Sequence, residues 1–425
     1  WATIHDTKLI FKAPITTPKG GGYKSLNVTT RKMLGLYANV RPCVSYDPFI
    51  PCSHPGMDVV IVRENEEDTY GGIEHRQTAE VTQCQKLITS PGSERIIRYA
   101  FDFANANHRK KVTCLSKSNI MKITDGLFDR IFDEVAKEYP EITADHMIID
   151  IGAAKMANDP ERFDVVVLPN LYGDIVSDIA AEVAGSVGLA GSANIGGEYA
   201  MFEAIHGSAP DIAGMGIANP SGLIQASVMM LGHIGHADAG HKIHNAWLKT
   251  IEDGIHTADI FLPDRSKEKV GTADFAKAVI DRLGQTPTTL HPASCDGVPP
   301  HPVPVHRNKP TKTTVGIDVF TDWDEPGRNP ADQAKLLSAA AESVQMKLTM
   351  ITNRGTKVWP GAMPATMRTD HWRCRFLDAG SVEPVTHQRI VALLSALAER
   401  NVDFIKTEQL CEFDGQPGYS KGQGE

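Results

Sequence analysis

Two carboxylates four residues apart mark the stretch of this chain best equipped for chemistry. In Asn170-Leu171-Tyr172-Gly173-Asp174-Ile175-Val176-Ser177-Asp178, the apolar, β-branched run Phe163 to Leu168 hands over to a helical pattern. Asp174 and Asp178 therefore leave one helical face about one turn apart. Like charges at that spacing repel, which calls for a cation between them. A solvated first turn favoured by the helix dipole fits the same residues. Asp150, at another strand end, could join the pair around a hard cation held by oxygens, magnesium or manganese. Lys117 follows a further strand and could act as a base, with Tyr70 returning a proton.

Arg31, Arg41 and Arg63 fall close to Ser25 and Asn27. Guanidinium forks suit bidentate binding of carboxylates, so a substrate with several carboxylates fits, as do three unrelated surface arginines. The Gly-rich run Pro18 to Ser25 has the look of a phosphate loop, but Tyr23 interrupts the required Gly-Lys-Ser/Thr order. His233, His236, His241 and His244 give H-x-x-H twice. The spacing is not that of a helical ligand pair, and no carboxylate or cysteine completes a site, so they read as helix-surface or interface residues.

The elements that must position these groups alternate between strand and helix from Met57 onward. Strands are expected at 58–62, 112–115, 147–150 and 163–168, and helices at about 93–108 and 119–139, with further helices near 221–233, 240–254 and 273–283. Such alternation is the pattern of an α/β domain with ligands at strand ends. A Pro-rich stretch, 286–312, reads as a semi-rigid linker. Beyond it the order β-α-β-β-α-β over 313–425 suits a ferredoxin-like α+β sandwich.

Net charge is −9, and no basic stripe stands out, which argues against nucleic acid as the main partner. Seven scattered cysteines (43, 52, 84, 114, 295, 374, 411) without a C-x-x-C pair suggest reduced thiols. No apolar run is long enough to span a bilayer, and the first residues lack the features of a secretory signal.

Several separated segments resemble the metal-dependent β-decarboxylating dehydrogenases, the isocitrate and isopropylmalate dehydrogenase family. They are Lys12 to Arg31, Arg41-Pro42, Arg63 to Tyr70, Lys117-Ser118-Asn119-Ile120-Met121-Lys122, Asn170 to Asp178, and His206 to Pro220. The resemblance implies an α/β fold with a large cofactor domain (1–36 and 185–285) and a small, dimerisation domain (37–184). A longer subclass with a C-terminal extension is indicated by Asn353-Arg354-Gly355-Thr356, Arg373-Cys374-Arg375-Phe376 and Glu412 to Gly418. The family's opening strand and Gly-Asp-Gly-Ile-Gly-Pro-Glu turn are expected before Lys12 and are not in this sequence.

The resemblance also assigns roles. Arg31, Arg41 and Arg63 match substrate-carboxylate arginines, and Ser25 and Asn27 the pair that meets the γ-carboxylate of isocitrate. Tyr70 and Lys117 match the acid and base, and Asp150, Asp174 and Asp178 the magnesium or manganese ligands. Lys117 and Asp150 are implied to enter the site from the neighbouring subunit of a homodimer. Cofactor contacts are implied for Lys12, Thr16, Asn119, Glu203, His206, Gly207, Ser208, Ala209, Asp211, Ile212 and Asn219. NADP-using relatives carry Lys-Tyr where this chain has Asp211-Ile212, and a carboxylate repels a 2′-phosphate, so NAD is expected. The expected reaction is oxidative decarboxylation of isocitrate to 2-oxoglutarate, in the cytoplasm or a mitochondrial matrix, with no nucleic-acid or membrane partner. Rival readings are an isopropylmalate or tartrate dehydrogenase, a non-catalytic regulatory subunit, and a metal-dependent phosphohydrolase built on the aspartates.

Overall fold

The computed structural model describes residues 1–16, 25–292, 309–361, 365–380 and 385–422. The Gly-rich run up to Lys24 and most of the Pro-rich stretch lie outside these residues. Contacts divide the chain into two units, Trp1–Gly71 with Lys86–Val305, and Gly72–Gln85 with His306–Glu425.

The chain begins with helix α1 (Ala2–Thr7), strand β1 (Leu9–Phe11), helix α2 (Leu26–Met33) and strands β2 (Ala38–Val44) and β3 (Asp58–Glu64). A hairpin of β4 (Glu74–Arg76) and β5 (Thr82–Cys84) follows, then α3 (Ser90–Ala106), β6 (Lys111–Ser116), α4 (Thr124–Ala136), β7 (Thr143–Ile148), α5 (Ile149–Asn158), β8 (Val165–Leu168) and α6 (Asn170–Val183). Next come β9 (Gly191–Ile195), β10 (Ala200–Ala204), α7 (Ser221–His233), α8 (Ala237–Glu252), the short pair β11 (Ile255–His256) and β12 (Glu268–Lys269), and α9 (Thr272–Ile280).

In the first unit eight strands form one mixed sheet in the order β1-β10-β9-β2-β3-β8-β6-β7. The β3-β8-β6-β7 half is parallel. Such strands are covered on both faces and read as unbroken apolar runs, as Val165–Leu168 does, with all four residues buried. Helices bind to that half through an apolar core that includes Ile96, Phe101, Phe128 and Phe132.

Strands β2, β9 and β10 escape sequence reading because polar residues break their apolar pattern. Asn39, Arg41, Asn194 and Glu203 are all buried strand residues. Pro42 would also demote a central strand, yet β2 pairs with β3 along its length, while its ladder to β9 ends at Val40. Helix α4 begins at Thr124 rather than 119, because Ile120 and Met121 donate their amides to the Lys117 carbonyl in a tight turn (2.9 Å each).

The second unit holds strands β13 (Lys312–Asp322), β14 (Met346–Asn353), β15 (Thr356–Trp359), β16 (His371–Asp378), β17 (Phe404–Phe413) and β18 (Gln416–Pro417), with helices α10 (Pro330–Glu342) and α11 (His387–Ala398). The sheet order is β15-β14-β16-β13-β17-β18, all antiparallel. Its central four strands and two helices form the expected β-α-β-β-α-β sandwich, and Trp372, Phe376 and Leu337 lie in its core. The β4–β5 hairpin belongs to this unit: Thr78 donates to Asp370 (2.5 Å), and Glu80 pairs with Arg328 (2.8 Å).

Candidate active site

A polar stripe crosses the first unit's sheet where β10, β9, β2 and β3 lie side by side. Asn39 sits opposite both Arg63 and Asn194, and Asn194 opposite Met201. Cross-strand partners share a face, as do residues two apart, so Arg41, Arg63, Asn194 and Glu203 project together. A relay of side chains confirms it. Arg41 donates to Asn39 (2.5 Å), Asn39 to Asn194 (3.0 Å), and Asn194 to Glu203 (2.9 Å).

Above the stripe opens a cleft of about 200 Å³ lined by Ser25, Asn27, Arg31, Arg41, Arg63, Tyr70, Asp174, Glu203, His206 and Gly207, among others. The structure thus gathers the three predicted arginines, the predicted polar pair and Tyr70 around one space. Asn27 Oδ1 and Arg31 Nε are buried there without a hydrogen-bond partner among the described residues. The Arg31 Nε donor suits an anionic group, and the Asn27 Oδ1 acceptor a hydroxyl on the same ligand.

The cation demanded by Asp174 and Asp178 is Arg41, whose nitrogens lie 3.5 Å from Asp174 and 3.4 Å from Asp178. Arg63 also pairs with Asp174, and Asn170 accepts two further bonds from its guanidinium (3.0 and 2.7 Å). Tyr70 donates to Asp174 at 2.6 Å. Burial pushes Asp174 up, but Arg63 and Arg41 outweigh it and hold the carboxyl below its usual range. Asp178 is pushed up, by burial first and with Asp174 adding to it against Arg41. A divalent cation would relieve that repulsion, so the two hard oxygen donors fit a magnesium-type ion. Burial and the Asp174 bond raise Tyr70, against Arg63, which keeps its phenol protonated. Burial and Arg41's like charge lower Arg63 to about 10, still a cation at neutral pH.

Glu203 anchors the other wall. Arg31 (2.9 Å) and Lys12 both pair with it, and together they overcome its burial to hold it at about 2. Nearby, Thr16 and Ser208 share a hydrogen bond (2.5 Å), while His206 contacts the Gly207 carbonyl (2.9 Å). Ala209 turns with a φ of 43° into the short turn Pro210–Ile212, where Asp211 is exposed. Asn219 donates to Asp259 (3.0 Å), and its own oxygen accepts from Ser221 N (2.9 Å), which orders the start of α7.

Lys117 and Asp150 stand apart from the cleft. They pair with each other at 2.8 Å, neither lines the cleft, and Asn119 is exposed two residues beyond Lys117. Beneath them lies a buried network that sequence reading missed. Asp125 accepts from Lys117 N (2.8 Å) and from Tyr172 OH (3.1 Å). Lys86 lies 2.7 Å from Asp125 and 3.7 Å from Asp68, and both aspartates are fully buried. Asp68 in turn accepts from Leu171 N (2.9 Å), satisfying an amide in the first turn of α6, which has no local side-chain cap. No spacing rule links residues 68, 86, 125 and 172, because the fold alone brings them together.

The four histidines do not converge on one point. His244 contacts Gln225 (2.8 Å) and is lowered to about 4 by burial and His241, while His233 packs against Phe202.

Comparison with known proteins then separates the possibilities. A sequence profile described as isocitrate/isopropylmalate dehydrogenase matches residues 1–279, and one described as the bacterial isocitrate dehydrogenase C-terminal domain matches residues 312–425. The NADP isocitrate dehydrogenase of Rickettsia bellii is 53% identical over 430 residues, spanning 100% of this chain and 88% of that protein. The protein of the same name from Thermus thermophilus is 42% identical over 434 residues, with 100% and 85% covered. A crystal structure of a Thermus thermophilus protein superposes with a TM-score of 0.92 at 42% identity, covering 100% of this chain and 85% of that one.

The relatives' names overturn the expectation of NAD. That expectation rested on the dipeptide Asp211-Ile212 standing in place of Lys-Tyr and on the Asp211 charge, and Asp211 sits exposed on a turn where water screens it. No helix among the described residues is long and apolar enough to cross a membrane.

Proposed function

The chain belongs to the isocitrate/isopropylmalate dehydrogenase family, and on that premise we propose that it converts isocitrate to 2-oxoglutarate and carbon dioxide with NADP and magnesium or manganese. One observation carries the reading: a single cleft in which Arg31, Arg41 and Arg63 surround Tyr70 and Asp174. Three guanidinium groups match a tricarboxylate, and the polar pair Ser25 and Asn27 suits the γ-carboxylate better than an isopropyl group.

In this reading the arginines leave their aspartate contacts in part to grip substrate carboxylates and fix the reacting carbons. Asp174 and Asp178, with Asp150 from a partner subunit, would hold the divalent ion. When bound, that ion supplies a Lewis acid and NADP a hydride acceptor. Lys117, beside Asp150, takes the substrate's hydroxyl proton. Tyr70, kept protonated by burial and Asp174, returns a proton to the carbon that loses carbon dioxide. In the same reading Lys12, Thr16, Asn119, Glu203, the His206–Ile212 loop and Asn219 would contact the cofactor.

That neither Lys117 nor Asp150 lines the cleft supports a homodimer with shared sites, in which 37–184 forms the dimerisation portion and 1–36 with 185–285 the cofactor portion. Purified protein given isocitrate and magnesium should reduce NADP in preference to NAD. Absence of isocitrate-dependent reduction with either cofactor would refute the activity.

A further inference from the structure

Outside the cleft, three chemically different ligand groups meet. Cys114 on β6, Asp129 on α4 and His146 on β7 bring a sulfur, a carboxylate oxygen and a ring nitrogen within 4.8 Å of one another. Cys114 Sγ lies 3.7 Å from Asp129 Oδ1, and His146 Nδ1 lies 4.0 Å from the same oxygen. Around tetrahedral zinc, bonds of roughly 2.0–2.3 Å set ligand atoms about 3.3–3.6 Å apart. Closing these distances needs only small side-chain shifts.

The histidine is also oriented as a ligand would be. Its Nε2 bonds Asp133 Oδ1 at 2.8 Å, which directs Nδ1 toward Asp129, and Phe132 packs edge-on against the ring at 4.7 Å. A carboxylate on the far nitrogen is the usual way a metal-binding imidazole is fixed. Cys114 is fully buried and forms no disulfide.

We propose that Cys114, Asp129 and His146 form a site for zinc or a similar borderline divalent cation, with Asp133 orienting the histidine. Mixed sulfur, nitrogen and oxygen donors select such ions over magnesium, which prefers oxygen alone. Burial and Asp129 hold the Cys114 thiol well above its ordinary value, so binding must displace its proton to solvent. The position has a consequence for the chemistry. Cys114 precedes Lys117 by three residues, His146 precedes Asp150 by four, and Asp129 follows Asp125 by four. A bound cation therefore ties β6 and β7, the strands that lead into Lys117 and Asp150, to α4, which carries the Asp125 carboxylate under Lys117.

The competing explanation is a histidine ion-paired between two carboxylates, with no metal. Cobalt, a spectroscopic stand-in for zinc, separates the two when titrated into the full chain with its oxygen sites saturated by magnesium. The proposal expects one cobalt per chain with a thiolate-to-cobalt charge-transfer absorption that Cys114→Ser abolishes. His146→Ala should weaken cobalt binding at least tenfold, and Asp133→Asn by about 10–100-fold. No charge-transfer absorption, or one unchanged in Cys114→Ser, overturns it. If Cys114→Ser does not fold, His146→Ala decides, because unchanged cobalt affinity there is equally fatal. None of these readouts depends on turnover.

Discussion

The arginine cleft and the Lys117–Asp150 pair are built in opposite ways within one sheet. The cleft is dense: Arg41 and Arg63 are almost fully buried, each with carboxylate and amide or hydroxyl partners, and burial lowers both guanidinium groups and raises Tyr70 while the cations hold Asp174 and Glu203 down. The pair is sparse. Lys117 and Asp150 have one another, and 68% of the Asp150 side chain is exposed. A buried network in which Arg41 and Arg63 are held by several fixed partners sets its geometry in advance. An exposed pair does not, so the chemistry assigned to Lys117 needs another surface to complete it.

The largest expected effect tests that division. Lys117→Met and Tyr70→Phe should each lower kcat by about 10²–10⁴-fold, the usual worth of a proton-transfer group. Mixed and reassembled, the two dead variants should regain roughly a quarter of wild-type activity if each site in a two-fold dimer draws Tyr70 from one chain and Lys117 from the other. Recovery at background level would place both groups in one chain and erase the contrast.

The two regions are joined by Lys86, and its removal should be the next most damaging. Lys86→Met leaves Asp68 and Asp125 buried without their cation, at a cost of about 3–5 kcal/mol. Urea unfolding of the variant measures it. A loss below about 1 kcal/mol would mean that the tyrosine and backbone contacts of Asp125 suffice alone.

Legibility follows the same contrast. Residues within a continuous motif can be read directly: Asp174 and Asp178 share a helical face by spacing, and that spacing alone calls for the cation that Arg41 supplies. The parallel strands announce themselves through apolar runs such as Val165–Leu168. The stripe strands do not, because Asn39, Arg41 and Glu203 replace the apolar residues that mark a strand, and their burial is satisfied by partners far away in sequence, such as Asn194, Asp174 and Arg31. Lys86, Asp68 and Asp125 are silent for a similar reason. Their meeting depends on the paths of two loops and the start of α4, which no local periodicity encodes. The C-terminal sandwich is legible almost element for element, while the β4–β5 hairpin, far away in sequence, carries no sign that it belongs there.

Gly173 tests how tightly the cleft is packed. A Cβ there would lie 2.5 Å from Arg63 Cγ and 2.7 Å from its Cβ, closer than packed atoms approach. Gly173→Ala should therefore push the Arg63 stem aside, cost about 1–3 kcal/mol, and raise the KM for isocitrate more than it lowers kcat. A similar glycine substitution beside the sparse pair has no such stem to displace: Gly126, near Lys117, would place its Cβ no closer than 3.8 Å to the end of the Arg130 side chain. Gly126→Ala should leave KM for isocitrate unchanged.

The smallest effect is expected at Asp211. If the charge at this turn governed cofactor choice, neutralising it would favour NADP by the full strength of a carboxylate–phosphate repulsion. Yet the residue is exposed, and exposed charges in high dielectric at physiological salt interact by about 1 kcal/mol or less. Asp211→Asn should then change the NADP-to-NAD ratio of kcat/KM by less than about fivefold, the equivalent of that energy. A tenfold or larger shift would show that the turn closes over the phosphate and becomes, in the bound state, as dense as the arginine cleft.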